Sequence, residues 1–300
     1  MARCWLDFHD TNKTVFLAGC GRSGTTWLGD VLNYRNTFRV MFEPFFPVEV
    51  PELAAAGWRA HGYLRPGATG PCVEAVERIL AGRIRNAWID QFNRRPVASR
   101  RLIKDIRANF MLGWLRARYP DLPIVFLMRH PIPTVFSQLK MGWKPAYHQF
   151  RSQPELLADF LAPYQADLDI VRDDFGARMT MWCMLNLVPL RQFAAGGLHV
   201  VFYEDLCRCP EEILPALLAY IGVRHADGVA HQLKLPSIMT QHFSAIRQGG
   251  DPVDNWRTQA TPEQMNTALT ILTRFGFDRI YNDSALPRVD AAQVPGLFKA

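Results

Sequence analysis

A glycine-rich turn between a short apolar run and a helix-like pattern constrains this chain more than any other feature. The run Thr14–Ala18 leads into the turn Gly19–Gly24, and two threonines, Thr25 and Thr26, follow it. Successive backbone N–H groups and the positive end of a helix dipole converge in such a turn and bind phosphate-like anions. The outer glycines have the spacing of a nucleotide triphosphatase loop, but Thr25 replaces the lysine of that loop. The cation is instead Arg22, which indicates an anionic nucleotide rather than ATP or GTP with magnesium.

Short apolar runs alternate with helical patterns along the rest of the chain. This alternation predicts an α/β fold with a central parallel sheet and helices on both faces. Ligands of such folds bind beyond the carboxyl ends of the strands, where the glycine-rich turn, Arg129 and Tyr203 would all lie. The predicted strands are Thr14–Ala18, Leu102–Ile106, Ile124–Met128 and Leu198–Tyr203. The predicted helices are Thr25–Tyr34, Val73–Phe92, Asn109–Arg118, Pro133–Lys140, Arg178–Ala194, Pro210–Ile221 and Thr261–Phe275.

The composition is that of an ordinary globular protein. The 300 residues are 49% hydrophobic, enough for a substantial core, and we expect a single domain over residues 1–300 with its core at about 14–282. Two irregular, aromatic-rich stretches at about 42–70 and 235–261 are interpreted as covers over substrate or cofactor. The Thr261–Phe275 helix is expected to have Thr261 as its N-cap, Pro262 at its first position and Gly276 after its end.

Charge and cysteine usage exclude several classes of protein. A net charge of +6 favours anionic ligands, but the basic residues are too scattered to predict a nucleic-acid partner. The six cysteines lack zinc-site spacing and are expected to be reduced thiols. No apolar stretch reaches the ~18–20 residues of a membrane span, and no signal peptide precedes the core, so a cytoplasmic location without an integral membrane segment is expected. The oligomeric state is left open.

Two motifs identify a family resemblance. The run Gly21–Trp27 resembles the 5′-phosphosulfate loop of sulfotransferases that use 3′-phosphoadenosine 5′-phosphosulfate (PAPS). The run Ile124–Pro131, with Ser137 eight residues after Arg129, resembles the strand, turn and helix that bind the 3′-phosphate in that family. The resemblance covers about residues 14 to 282 and implies a P-loop nucleotide-kinase-like fold, PAPS as co-substrate, PAP as product, and no metal.

The resemblance also implies roles for individual residues. Arg22 would lie beside the bridging oxygen of the donor, where many relatives have lysine, so the arginine is similar to the carbohydrate and tyrosylprotein branches and to small bacterial sulfotransferases. Ser23, Gly24, Thr25 and Thr26 belong to the 5′ loop, and the two threonines would bind phosphate and sulfonate oxygens. The remaining predicted donor contacts are Trp27 and Tyr203 at the adenine, Arg129 and Ser137 at the 3′-phosphate, and Arg247 and Gly249 in a closing loop.

The acceptor hydroxyl requires a general base. Small-molecule cytosolic relatives have a histidine two residues after a strand-end lysine, but here Lys104 is followed by Asp105 and Ile106. We therefore expect Glu43, flanked by Phe42 and Pro44, to be the base, with its pKa raised by desolvation. Asp105 is the alternative base, and a structural ion pair of Glu43 with Arg22 or Lys104 is the non-catalytic alternative.

Lys104 is expected to stabilise the sulfonate. Three histidines are expected to be polar surface or loop residues rather than bases: His61, His130 and His148.

The sequence thus predicts transfer of a sulfuryl group from PAPS to a hydroxyl of a carbohydrate, glycolipid or natural product by in-line displacement. Aromatic residues at 42–63 and 143–150 favour an acceptor with an apolar or ring face. Two alternatives stay open: a P-loop kinase or NTPase acting on a small molecule, which would need magnesium, and a nucleotide-binding module without catalytic activity.

Overall fold

The computed structural model describes residues 6–7, 10–170, 172–193, 196–224, 228–242, 247 and 249–299. Within them lie seven strands and twelve α-helices joined by turns, short 3-10 segments and one π-helical segment. The strands are β1 (Leu6–Asp7), β2 (Thr14–Gly19), β3 (Phe38–Phe42), β4 (Val97–Ala98), β5 (Arg100–Asp105), β6 (Ile124–Met128) and β7 (His199–Phe202). The helices are α1 (Thr25–Leu32), α2 (Pro51–Ala55), α3 (Pro71–Leu80), α4 (Leu112–Arg118), α5 (Pro131–Lys140), α6 (Pro154–Leu156), α7 (Gln165–Asp169), α8 (Asp174–Gln192), α9 (Tyr203–Arg208), α10 (Pro210–Tyr220), α11 (Val229–Lys234) and α12 (Pro262–Phe275).

A central five-stranded parallel sheet confirms the predicted fold class. Its strand order is β3-β5-β2-β6-β7, and β1 pairs with β4 in a separate two-stranded sheet. Every residue of β2 and β6 is buried, as expected for parallel strands covered on both faces. In the register of the pairs, Ala18 lies opposite Asp105 and Phe42 lies opposite Lys104. The carboxyl ends of β2, β5 and β3 therefore coincide at one edge.

The chain forms two compact units. The first consists of the residues up to Gly19 together with Thr25–Phe126 and Leu214–Ile238. The second consists of Cys20–Gly24, Leu127–Ile213 and Met239–Ala300. The expectation of one domain over residues 1–300 stays a prediction.

A network of buried ion pairs stabilises the first unit. The guanidinium of Arg39, the second residue of β3, contacts Asp90 at 2.7 Å and Asp7 at 2.9 Å. Arg101 contacts the other oxygen of Asp7 at 2.7 Å. Both arginines are fully buried, which requires close counterions because a buried charge without one is strongly destabilising. Burial opposes ionisation of Asp7, but its bonds to Arg101 and Arg39 outweigh burial and lower its pKa.

The prediction of one long helix over Val73–Phe92 is wrong, because α3 ends at Leu80. Beyond it, the carbonyls of Gly82 and Ile84 accept hydrogen bonds from Arg39, at 2.6 and 2.9 Å. Those carbonyls would be bonded within the helix if it continued, so the charge network ends it. The strand β3 was not predicted either, because Arg39, its second residue, interrupts an otherwise apolar run.

The second unit is built around α8, whose residues are buried on nearly every side, as predicted for a core helix. Helix α12 has the predicted ends: Thr261 caps it in a capping box with Gln264, and Gly276 follows it at φ +74°. Helix α5 begins at Pro131, two residues earlier than predicted. Between α5 and α8 lie short helical segments that sequence patterns did not predict.

Candidate active site

The glycine-rich turn adopts a tight, left-handed conformation in the second unit. Ser23 is completely buried, and both its backbone N–H and its hydroxyl donate to the carbonyl of Cys20, at 3.1 and 2.6 Å. Arg22 and Gly24 have positive φ values of 73° and 98°. A Cβ atom on Gly24 would lie 2.7 Å from Cδ2 of Tyr203, so glycine is required there by both conformation and space.

Two of the predicted donor-binding residues are bonded to each other. The Nε of Arg22 donates to the hydroxyl of Ser137, on α5, at 2.9 Å. The next residue on that helix, Gln138, donates from its amide to the carbonyl of Gly21, also at 2.9 Å. Helix α5 therefore holds both the side chain and the backbone of the turn.

Arg129 joins the same cluster from the end of β6. Its guanidinium donates to the carbonyl of Arg22 at 3.2 Å and to the carbonyl of Pro252 at 2.8 Å. It also lies 4.2 Å from the ring centroid of Tyr203, the first residue of α9, in a cation–π contact. The structure thus brings together Arg22, Gly24, Arg129, Ser137 and Tyr203.

Helix α1 continues from the turn into the first unit. Thr25 is buried and Thr26 half-buried in its first turn, where the backbone N–H groups have no partners within the helix. The indole N–H of Trp27 donates to the carbonyl of Leu233 in α11 at 3.3 Å. Trp27 is therefore anchored by a contact that the sequence did not predict, and its predicted position at the adenine stays a prediction.

Glu43 directly follows β3, at the edge where the carboxyl ends of β2, β5 and β3 coincide, and it lies between two cations. Its Oε1 is 2.5 Å from Nζ of Lys104, and its Oε2 is 2.5 Å from Nη1 of Arg107. The backbone has an unusual positive φ of 44°, held by a bond from the Glu43 N–H to the Lys104 carbonyl at 2.7 Å and by the indole of Trp88, which donates to the Glu43 carbonyl at 3.1 Å.

The expected pKa shift of Glu43 has the wrong sign. Burial alone would raise the pKa of this carboxyl, but Lys104 and Arg107 together outweigh burial and lower it below its ordinary value. The apolar neighbours Phe42 and Pro44 suggested desolvation, whereas the two cations approach from β5 and the residues after it. A structural ion pair of Glu43 with Arg22 or Lys104 was the non-catalytic alternative, and the structure contains the pair with Lys104.

Asp105 is fully buried and its oxygens are used by the backbone. Oδ2 accepts the N–H of Phe45 at 2.9 Å, and Oδ1 accepts the N–H of Arg107 at 2.6 Å. Burial, then the negative charge of Glu43, raises the pKa of Asp105 to about 6. Asp105 therefore shapes the loop that carries Glu43 and presents no oxygen without a hydrogen bond.

Arg107 is a member of this cluster that sequence reasoning missed. Besides its bond to Glu43, its guanidinium lies 3.9 Å from the ring centroid of Phe46. It follows the strand-end Lys104 by three residues, and a glutamate placed among apolar residues needs counterions. The need of Glu43 for counterions was therefore the sequence signal that could have identified Arg107.

The histidines differ in their surroundings. His148 is exposed and His61 is half-buried. His130 lies in the loop between β6 and α5, one of the two expected kinds of position, but it is completely buried. As the N-cap of α5, His130 accepts the N–H of Ile132 on Nδ1 at 3.3 Å, and its ring stacks on Trp256 with centroids 4.3 Å apart. Burial lowers the pKa of His130 to about 3.

Arg247 and Gly249 of the predicted closing loop are exposed, and Gln248 between them lies outside the described residues. Across the described part of the chain, no group of three or more histidine, cysteine or acidic side chains is placed to hold a metal ion. No helix in that part is long and apolar enough to cross a membrane.

Comparison with known proteins establishes the family. The model of the Sulfotransferase family matches residues 14–227, more than half of the chain, and this chain belongs to that family and is a sulfotransferase. A search of curated proteins found no match.

Several solved structures are similar to this chain. The sulfotransferase domain from the curacin biosynthetic pathway is 15% identical with a TM-score of 0.50, over 88% of this chain and 97% of that one. The sulfotransferase domain of the Synechococcus PCC 7002 olefin synthase is 16% identical with a TM-score of 0.46, over 86% and 94%. The mouse sulfotransferase SULT7A1, solved with PAP, is 16% identical with a TM-score of 0.46, over 87% and 84%.

Proposed function

We propose that this sulfotransferase uses PAPS as donor and transfers the sulfuryl group to a hydroxyl of a carbohydrate, glycolipid or natural product. The observation that carries the proposal is the cluster of Arg22, Arg129 and Ser137 at the glycine-rich turn. Two guanidinium groups at one turn suit a ligand with more than one anionic group.

Each donor contact follows from the chemistry of its residue. Arg129 and Ser137 offer a planar fork of donors and a hydroxyl to the 3′-phosphate. Tyr203, which is only 2% exposed, supports the Arg129 guanidinium from below, beside the proposed adenine position. Trp27, Arg247 and Gly249 complete the proposed nucleotide contacts. The 5′ end would bind to Ser23, Gly24, Thr25 and Thr26, of which Ser23 contributes by shaping the turn because its hydroxyl is already used.

The proposed reaction is an in-line displacement. The acceptor oxygen forms a bond to sulfur while the bond between sulfur and the bridging oxygen of the donor breaks, and PAP leaves with that electron pair. Arg22 stabilises the charge that develops on the leaving oxygen, and Lys104 stabilises the sulfonate. The acceptor proton passes to Glu43, which its neighbouring cations keep ionised.

A half-buried aromatic pair near Glu43 supports an acceptor with a ring or apolar face. Phe46 and Trp88 have ring centroids 5.9 Å apart, and Trp88 bonds to the backbone of Glu43. In contrast, Phe42 and Phe45 are buried in the core. We therefore assign the acceptor contact to Phe46 and Trp88.

Thermal-shift measurements with PAP, ADP and ATP–Mg²⁺ test the donor. A ligand at 100 times its Kd stabilises the folded state by about 2.7 kcal/mol, which is a shift of about 5 °C or more for a chain of this size. We expect that shift with saturating PAP and a much smaller one with ATP–Mg²⁺ at the same concentration. A shift with ATP–Mg²⁺ but not PAP would favour the kinase alternative and overturn the proposal.

Turnover tests the catalytic roles. With PAPS and a panel of sugars, glycolipids and small alcohols, we expect PAP release that depends on one acceptor class. Glu43→Gln keeps the size of the side chain and should abolish turnover while PAP affinity stays within about threefold of the wild type. Retained turnover would move the base assignment to Asp105.

A further inference from the structure

Glu204 is a buried carboxylate in the second unit with no assigned role. It lies in the first turn of α9, directly after Tyr203, and only 1% of its surface is exposed. Its Oε1 accepts the backbone N–H of His130 at 2.8 Å, and its Oε2 accepts the hydroxyl of Tyr281 at 3.3 Å.

The first of these bonds fixes the orientation of a donor-binding residue. The N–H of His130 belongs to the peptide unit that joins it to Arg129, so Glu204 sets the plane from which the Arg129 side chain leaves the backbone. Since Tyr203 precedes Glu204 and lies under the Arg129 guanidinium, one carboxylate fixes both partners of that cation–π contact.

The side chains described around His130 are mainly aromatic rings. The ring of His130 stacks on Trp256 and packs edge-on against Tyr281, with centroids 5.0 Å apart. Burial, opposed in part by the His130 N–H and by Arg129, raises the pKa of Glu204 to about 7. A carboxyl retained in such an apolar place points to a specific use of its oxygens.

We propose that Glu204 is a positioning residue that holds Arg129 over Tyr203 in the orientation that binds the 3′-phosphate of the donor. The proposal rests on the proposed function, since it assumes that Arg129 binds that phosphate. It implies that Glu204 controls discrimination between PAP and adenosine 5′-monophosphate, which lacks the 3′-phosphate.

The test is calorimetric affinity for PAP and for adenosine 5′-monophosphate in a matched set of variants. Glu204→Asp keeps the charge but withdraws the oxygens from the His130 N–H, and Glu204→Gln keeps an oxygen at full reach without the charge. Asp205→Asn, on the next residue, is the control. We expect the ratio of the two affinities to fall about tenfold or more in Glu204→Asp, the loss of roughly one charge-assisted hydrogen bond. Glu204→Gln should stay within about threefold of the wild type, and Asp205→Asn should be unchanged.

A second comparison separates positioning from general stability. In an Arg129→Ala background, Glu204→Asp should cause no further loss of discrimination, because the residue through which it acts is absent. Three results would overturn the proposal. In Glu204→Asp, they are an equal loss of affinity for both ligands or an unchanged ratio of the two affinities. In Glu204→Gln, it is a loss of affinity for PAP alone.

Failure of the inference is distinguishable from failure of the proposed function. If the wild type does not prefer PAP to adenosine 5′-monophosphate, or Arg129→Ala leaves that preference unchanged, the donor assignment is wrong. If both behave as expected and the Glu204 variants do not, only the positioning role is wrong.

Discussion

The Nε of Arg22 donates a 2.9 Å hydrogen bond to the hydroxyl of Ser137, across 115 residues of sequence. The proposed function places one of these residues at the bridging oxygen of the donor and the other at its 3′-phosphate. Their contact means that the orientation of the Arg22 guanidinium depends on a hydroxyl assigned to the other end of the nucleotide.

Removing that hydroxyl should therefore affect more than donor binding. For Ser137→Ala we expect PAP affinity to fall about three- to tenfold, and kcat to fall by a similar factor because Arg22 loses its orienting partner. Steady-state kinetics at saturating PAPS measure the second effect. Ser152→Ala removes an exposed hydroxyl as a control, and an unchanged kcat in Ser137→Ala would show that the contact has no catalytic consequence.

Gly24→Ala tests the conformation of the turn. The new Cβ would meet the Tyr203 ring at 2.7 Å in a residue with φ +98°, so we expect a loss of about 2–4 kcal/mol in the free energy of unfolding, or displacement of Tyr203 with loss of PAP binding. Gly142→Ala is the matched control, because Gly142 has φ +65° and no atom within 4 Å of the added Cβ. Equal effects of both substitutions in chemical denaturation would rule out the ring clash.

The pH profile distinguishes the two candidate bases. A base is lost when pH falls through its pKa. If Glu43 is the base, kcat/KM for the acceptor at saturating PAPS should stay constant until the pH is below about 4.5. That value is the ordinary pKa of a glutamate, and the pKa of Glu43 is lowered from it. With Asp105, whose pKa is raised, kcat/KM should fall with a midpoint near pH 6. A midpoint near 6, together with loss of turnover in Asp105→Asn, would assign the base to Asp105.

Arg107→Met tests the cation that sequence reasoning missed. This substitution removes one of the two charges that lower the pKa of Glu43, so the acidic limit of kcat/KM should move to higher pH. The loss relative to wild type should be larger at pH 5 than at pH 7.5. Arg83→Met, at an exposed position, is the control, and a loss that is equal at both pH values would mean that Arg107 does not tune Glu43.

Local sequence patterns predicted the parts of the molecule in which neighbouring residues determine the structure. The glycine-rich turn, β6 and the capped helix α12 have ends that a few adjacent residues specify, and they were predicted to within one residue. Arg22, Ser137, Arg129 and Tyr203 were all assigned to one donor site, but the direct contacts of Arg22 with Ser137 and of Arg129 with Tyr203 were not predicted.

The errors occur where a distant charge decides the outcome. Helix α3 ends early because Arg39, far away in sequence, bonds to the carbonyls after it. The pKa of Glu43 is lowered by Lys104 and Arg107, which adjacent apolar residues do not reveal. His130 lies in a loop, one of the two positions expected for it, but its burial under Trp256 and Tyr281 could not be read from its sequence neighbours.

The carboxylate of Asp7 has a practical consequence for work with this protein. It is the carboxylate that pairs with the buried Arg101 and, together with Asp90, with the buried Arg39, and it lies in a segment that a shortened version would readily omit. A protein that begins at Asp10 would leave Arg101 without that counterion, at a cost of about 3–5 kcal/mol. Fusion partners and affinity tags at the amino terminus should therefore be joined ahead of Asp7, with this residue retained.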